Sequence, residues 1–101
     1  MSDHPFENTY DLSNEQLEKL DEAEAEMLRN NLGRAEDMLL AMLDEEEDCI
    51  QVLNNLAHLY GRHFSDFEKA VELYNKVLQL EPDNSWARDA RRRYLRYVGR
   101  D

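Results

Sequence analysis

The chain has 101 residues, 42% hydrophobic and 35% charged, with only 3 Gly and 2 Pro. That mix suits one small domain of helices with polar outer faces and excludes a turn-rich all-β fold or a disordered chain. The formal net charge of -11 is unevenly placed: residues 1–85 hold 6 Lys+Arg against 21 Asp+Glu, net -15, and residues 86–101 hold 6 Arg against 2 Asp, net +4.

The single cysteine, Cys49, excludes an internal disulfide, and no apolar run of about 18 residues exists to span a bilayer. The opening MSDHPFENTYDLS has neither a basic start nor the apolar stretch of an export signal. A reduced, cytoplasmic setting without a membrane partner is therefore expected.

Residues 1–12 are aperiodic and read as an N-terminal arm, and residues 13–101 as a single domain. In the arm, Phe6 and Tyr10 either lie over the first helix, shielding Leu17 and Leu20, or belong to a loose tail. A helix should start near Asn14, because Ser13 and Gln16 have capping-box spacing and Leu12 and Leu17 that of a hydrophobic staple. Its stripe runs through Leu17, Leu20, Ala23, Met27 and Leu28 until Asn30, Asn31 and Gly33 interrupt it.

A second helix carries Ala35, Met38, Leu39, Met42 and Leu43 on one side. Met38 and Met42 are expected as core filling rather than as an adaptable binding surface. DEEED, residues 44–48, has no apolar residue to continue the stripe, so a break is expected there, with the acids in the first turn of the next helix. The third helix turns Ile50, Leu53, Leu56, Ala57 and Tyr60 inward and stops at Gly61.

Ser65 and Glu68 have the spacing of a second capping box, opening a fourth helix with Phe67, Ala70, Val71, Tyr74, Val77 and Leu78 buried. Pro82 ends that helix by excluding the α conformation at Glu81. Asp83 or Asn84 then caps a fifth, which sets Trp86, Ala87, Ala90, Tyr94, Leu95 and Val98 against its arginines. The fold class is all-α, with five helices.

Leu53-x2-Leu56-Ala57-x2-Tyr60, then Ala70-x3-Tyr74 and Pro82, closely resembles the tetratricopeptide repeat, or TPR, W-x2-L-G-x2-Y, A-x3-F, P, whose period is about 34 residues. Tyr60 to Ala70 is one residue longer than the family spacing, which predicts a bulge in GRHFSD. Ala35-x3-Leu39, 35 residues before Ala70-x3-Tyr74, looks like a degenerate earlier copy. By this resemblance residues 13–46 are a degenerate repeat, 47–82 a clear one and 83–98 a capping helix, stacked as antiparallel hairpins in a short right-handed superhelix.

The resemblance implies a non-enzymatic interaction module, an adaptor or scaffold whose concave groove holds a peptide or partner protein. It turns Gln51, Asn54, Asn55, His58 and Arg62 of the third helix toward that groove, with Asp89, Arg93 and Arg96 of the fifth and Leu20, Glu24 and Met27 of the first. Asn55 stands where the family's carboxylate clamp has an asparagine, but the clamp's basic members are unmatched and that specific function is rejected. Asn55 is then either a ligand-binding amide or a hydrogen-bond donor to a neighbouring helix.

No catalytic, cofactor-binding or metal-binding set stands out. His58, His63 and Cys49 do not have ligand spacing on a helix, and DEEED lacks the alternating oxygens and glycine of a calcium loop. Phosphate loops and Ser/His/Asp arrangements are missing, so an enzyme is not expected. Two other functions stay open: a small chaperone or accessory subunit for a client such as a secreted protein, and nucleic-acid binding through the arginine-rich fifth helix with Trp86, Tyr94 and Tyr97. The acidic remainder of the chain opposes the second of these. Such arrays usually need about three repeats, so a partner protein or a second copy is expected to complete this one.

Overall fold

A computed structural model describes residues 12–98. Its elements are α1 (Asn14–Leu28), α2 (Leu32–Glu45), α3 (Ile50–His58), a π-helical turn over Leu59–His63, α4 (Phe67–Leu80) and α5 (Ser85–Leu95). Among the described residues the protein is all-α, with no strand. Each helix packs on its neighbours in the chain, so that α4 lies against both α3 and α5. The arm residues Phe6 and Tyr10 lie outside the described residues.

The start of α1 is the expected capping box. The Gln16 N–H donates to Ser13 Oγ (3.1 Å) and the Ser13 N–H to Gln16 Oε1 (2.8 Å), while Leu12 and Leu17 are both buried. Such a cap contributes about 1 kcal/mol. At the other end Asn30 takes a left-handed conformation, φ 66°, and the Asn30 and Asn31 N–H groups donate to the Met27 and Glu26 carbonyls at 3.0 and 2.8 Å. This Schellman pattern stops the helix without a glycine, because asparagine tolerates that conformation better than most residues. Leu28, expected in the stripe, is 89% exposed. The buried seam follows Leu17, Leu20 and Ala23, and the last turn carries Leu28 round to solvent.

Helix α2 ends at Glu45, and the break expected in the acidic run is present. The acids precede α3 rather than entering its first turn, because Cys49 is the N-cap. Met42 is buried and Met38 packs against the core.

Helix α3 does not stop at Gly61. Its last turn widens into the π turn, where the Phe64 N–H reaches the Leu59 carbonyl at 3.2 Å and the Asp66 N–H reaches the Tyr60 carbonyl at 2.8 Å. This is the bulge expected in GRHFSD: a wider turn takes in one more residue without breaking the hydrogen-bonded path. Ser65 closes it with φ 55° and so cannot cap α4 in the extended conformation that an N-cap prefers. Asp66 caps instead, its carboxylate accepting from the Lys69 N–H at 3.3 Å.

Ala57 and Ala70 are fully buried between α3 and α4, as small residues at a close helix approach should be. Between α4 and α5 the seam is aromatic: Tyr94 stacks on Tyr74 (6.2 Å between centroids) and Phe67 (5.8 Å), and Phe67 stacks on Tyr97 (4.8 Å). Asn84 is the cap of α5, accepting from the Ala87 N–H at 2.9 Å. Ala87, Ala90 and Tyr94 form the buried stripe of α5, which leaves Trp86 73% and Leu95 40% exposed against expectation. Consecutive helical residues point about 100° apart, so the immediate neighbours of a seam position lie on its shoulders.

Candidate functional site

The surface between α3 and α5 is built on α4, the helix they share. At the far end of α3 the two outer helices meet, where the Tyr94 ring packs onto Gly61 in the π turn. His58 stands in the last turn of α3, and Arg93 precedes Tyr94 on α5.

Along α3, Gln51, Asn54 and Asn55 are half-buried. Asn55 Nδ2 donates to the Gln51 backbone carbonyl at 2.8 Å, a bond within α3 and not to a neighbouring helix. Asn54 Oδ1 is buried and has no hydrogen-bond partner among the described residues, an arrangement that costs free energy until a donor reaches it.

His58 is solvent-exposed on one side and meets the edge of the His63 ring, with centroids 5.8 Å apart at 77°. In an α-helix these two positions would diverge. The π turn brings residue i+5 back over residue i, so the expectation that they face different ways is corrected. Desolvation first, and then the neighbouring basic groups His63, Arg62 and Arg93, hold the His58 imidazole below its ordinary pKa. Arg93 also opposes the upward shift that burial and Tyr94 impose on the Tyr74 hydroxyl. His58 and His63 meet at the π turn, which Tyr94 of α5 also touches through Gly61.

Arg62, Asp89, Arg93 and Arg96 are exposed. The ion pairs between described residues engage Lys19, Arg29, Arg34, Lys69 and Lys76. Arg62, Arg93 and Arg96 make none with a described residue. Arg91, by contrast, is tied down, its Nε donating to Asn75 Oδ1 on α4. No hydrogen bond, ion pair or ring contact joins Asp89, Arg93 or Arg96 to a described residue of α3.

From the first helix, Leu20 is fully buried and cannot line a groove. It shares the α1 seam with Leu17 and Ala23, while Glu24 and Met27 are half-buried. His63 meets His58 although its distance along the chain argued against it.

A second polar centre closes the α1–α2 connection. Glu26, 12% exposed, accepts from Asn31 Nδ2 (2.9 Å) and Arg29 Nη1 (2.8 Å), and Arg34 Nε lies 3.5 Å away. The Asn31 hydrogen bond lowers its pKa most, with Arg29 and Arg34 acting in the same direction and desolvation against them. The side chains that hold this carboxylate are those that cover it, so the cluster is a lock on the connection. Cys49 is buried, and desolvation pushes its thiol pKa up, away from nucleophilic chemistry.

Among the described residues no group of three or more His, Cys, Asp and Glu is placed to hold a metal ion, and no helix is long and apolar enough to cross a membrane. No protein-family model matches the chain, and no curated protein matches it significantly.

Proposed function

We propose that the protein is a non-enzymatic adaptor of the tetratricopeptide kind that holds a segment of a partner protein in the furrow between α3 and α5. The observation that carries this reading is a row of half-buried amides along α3, Gln51, Asn54 and Asn55, which leads to the place where Tyr94 of α5 packs onto Gly61 of the π turn. Amides set along a helix flank suit an extended peptide, whose backbone offers an N–H and a carbonyl at each residue. The unpartnered Asn54 Oδ1 is an acceptor that such an N–H would satisfy. Binding is favoured over turnover because these amides supply hydrogen bonds, with no nucleophile set against a base among them.

Site-specific photo-crosslinking tests the proposal. A crosslinker at Asn55 or His58 should trap a defined partner that one at Leu40, exposed on α2, does not. Trapping the same proteins equally from Leu40 and His58 would refute it.

A further inference from the structure

We infer that the solvent face of α5 docks on the solvent face of α1 of a second copy of this chain, its arginines set against that helix's glutamates. This surface is separate from the furrow proposed above and stands without it.

The buried stripe of each helix fixes which residues lie opposite. Leu17, Leu20 and Ala23 turn inward on α1, so Glu15, Glu18, Asp21 and Glu22 stand on its far side, all exposed. Ala87, Ala90 and Tyr94 turn inward on α5. That puts Arg88, Arg92 and Arg96 on its far side and Arg93 at the shoulder, again exposed, with Asp89 as the one acid among them. Since α1 packs on α2 and α5 on α4, the two faces belong to the first and last helices of the described stack.

Each face repels itself. Glu15, Glu18 and Glu22 follow at steps of three and four residues, as Arg88, Arg92 and Arg96 do at steps of four, and like charges so spaced destabilise the helix that carries them. The helix dipole favours arginine in the last turn of α5, but Arg88 stands in its first turn, where the dipole opposes a cation. The protein holds other cations against its own acids: Lys19 against Glu15, Arg34 against Glu26, Lys76 against Asp48. Arg88, Arg92, Arg93, Arg96, Glu18 and Glu22 make no ion pair with a described residue.

Spacing lets the two rows meet. At about 1.5 Å per residue, Glu15 to Glu22 covers about 10 Å and Arg88 to Arg96 about 12 Å. Glu18 and Glu22 repeat the step of Arg88 and Arg92. The occupant is a second copy because the chain itself carries the complementary row, at this spacing and on a folded helix that loses little freedom on docking. A net charge of -11 opposes the approach of two copies, yet salt confines that repulsion to about 10 Å, a range at which the opposed rows are nearest neighbours. Two helices touching along one face bury less than a permanent dimer needs, so the contact is weak and reversible.

Sedimentation velocity of the full chain over a rising concentration series tests the inference. The parent should associate as concentration rises, and about 1 M salt should disperse it. Arg92→Glu/Arg96→Glu and Glu18→Arg/Glu22→Arg each reverse one face and should each weaken self-association at least about tenfold. Mixed in equal amounts, the two variants should associate again, because their facing rows are then opposite in sign although both chains remain acidic overall. Glu68→Arg/Glu72→Arg makes the same charge change at exposed positions of α4 and should leave association unchanged, circular dichroism verifying that all variants are helical.

A parent that stays monomeric throughout would overturn the inference, and an oligouridylate bound by it but not by Arg92→Glu/Arg96→Glu would give the basic face to nucleic acid instead. Unchanged association in either single-face variant, equal weakening by the α4 variant, association that survives the high salt, or a mixture that fails to associate would each overturn it as well.

Discussion

Tyr94 of α5 lies over Gly61 so closely that a β-carbon added to the glycine would stand 2.6 Å from the ring. The π turn and the aromatic seam meet at this one contact, because Tyr94 also stacks on Tyr74 and Phe67. The ring is held from three sides and cannot simply swing away.

Gly61→Ala should therefore destabilise the protein by about 1–3 kcal/mol, the cost of overpacking a filled site. Alanine is otherwise the better helix former, so an increase in stability on urea denaturation would show that the α5 contact yields freely.

Ser65 gives the opposite expectation. It holds φ 55°, a conformation costing a non-glycine residue about 1–2 kcal/mol that glycine adopts freely. Ser65→Gly should raise stability by roughly 0.5 kcal/mol, since glycine's greater unfolded-state freedom offsets part of the gain. A clear fall in the urea midpoint would count against the left-handed turn before α4.

Acid should loosen the α1–α2 connection first. The folded Glu26 carboxyl titrates below its ordinary value, so its contribution is fully present above the unfolded glutamate pKa of about 4.3 and is lost as pH falls through the lower folded value. Glu26→Gln should melt earlier than the parent at pH 7, with the two melting curves converging as the carboxyl protonates. A difference in Tm that stays constant across that range would remove the carboxylate from the account.

Cys49, 5% exposed and with a raised thiol pKa, should react with a disulfide reagent at neutral pH only as fast as the protein opens. Denaturant should release the reaction at once. Fast labelling of the native protein would contradict the burial at the start of α3.

Local chemistry made much of this protein legible before any contact was known. Helix periodicity, the Ser13–Gln16 box and Pro82 depend on residues within a turn or two of one another, and the all-α class and the helix breaks follow from them. What local spacing could not decide was which shoulder of each stripe the neighbouring helix would cover. Leu20 and Leu28 share one apolar pattern, yet one is fully buried and the other 89% exposed. Trp86 and Ala87 are adjacent, and only the packing of α5 on α4 sends the small residue inward and the large one to solvent. The end of α3 was as little legible: a π turn brings His63 against His58, and a helix begun more than 20 residues later lays Tyr94 on Gly61.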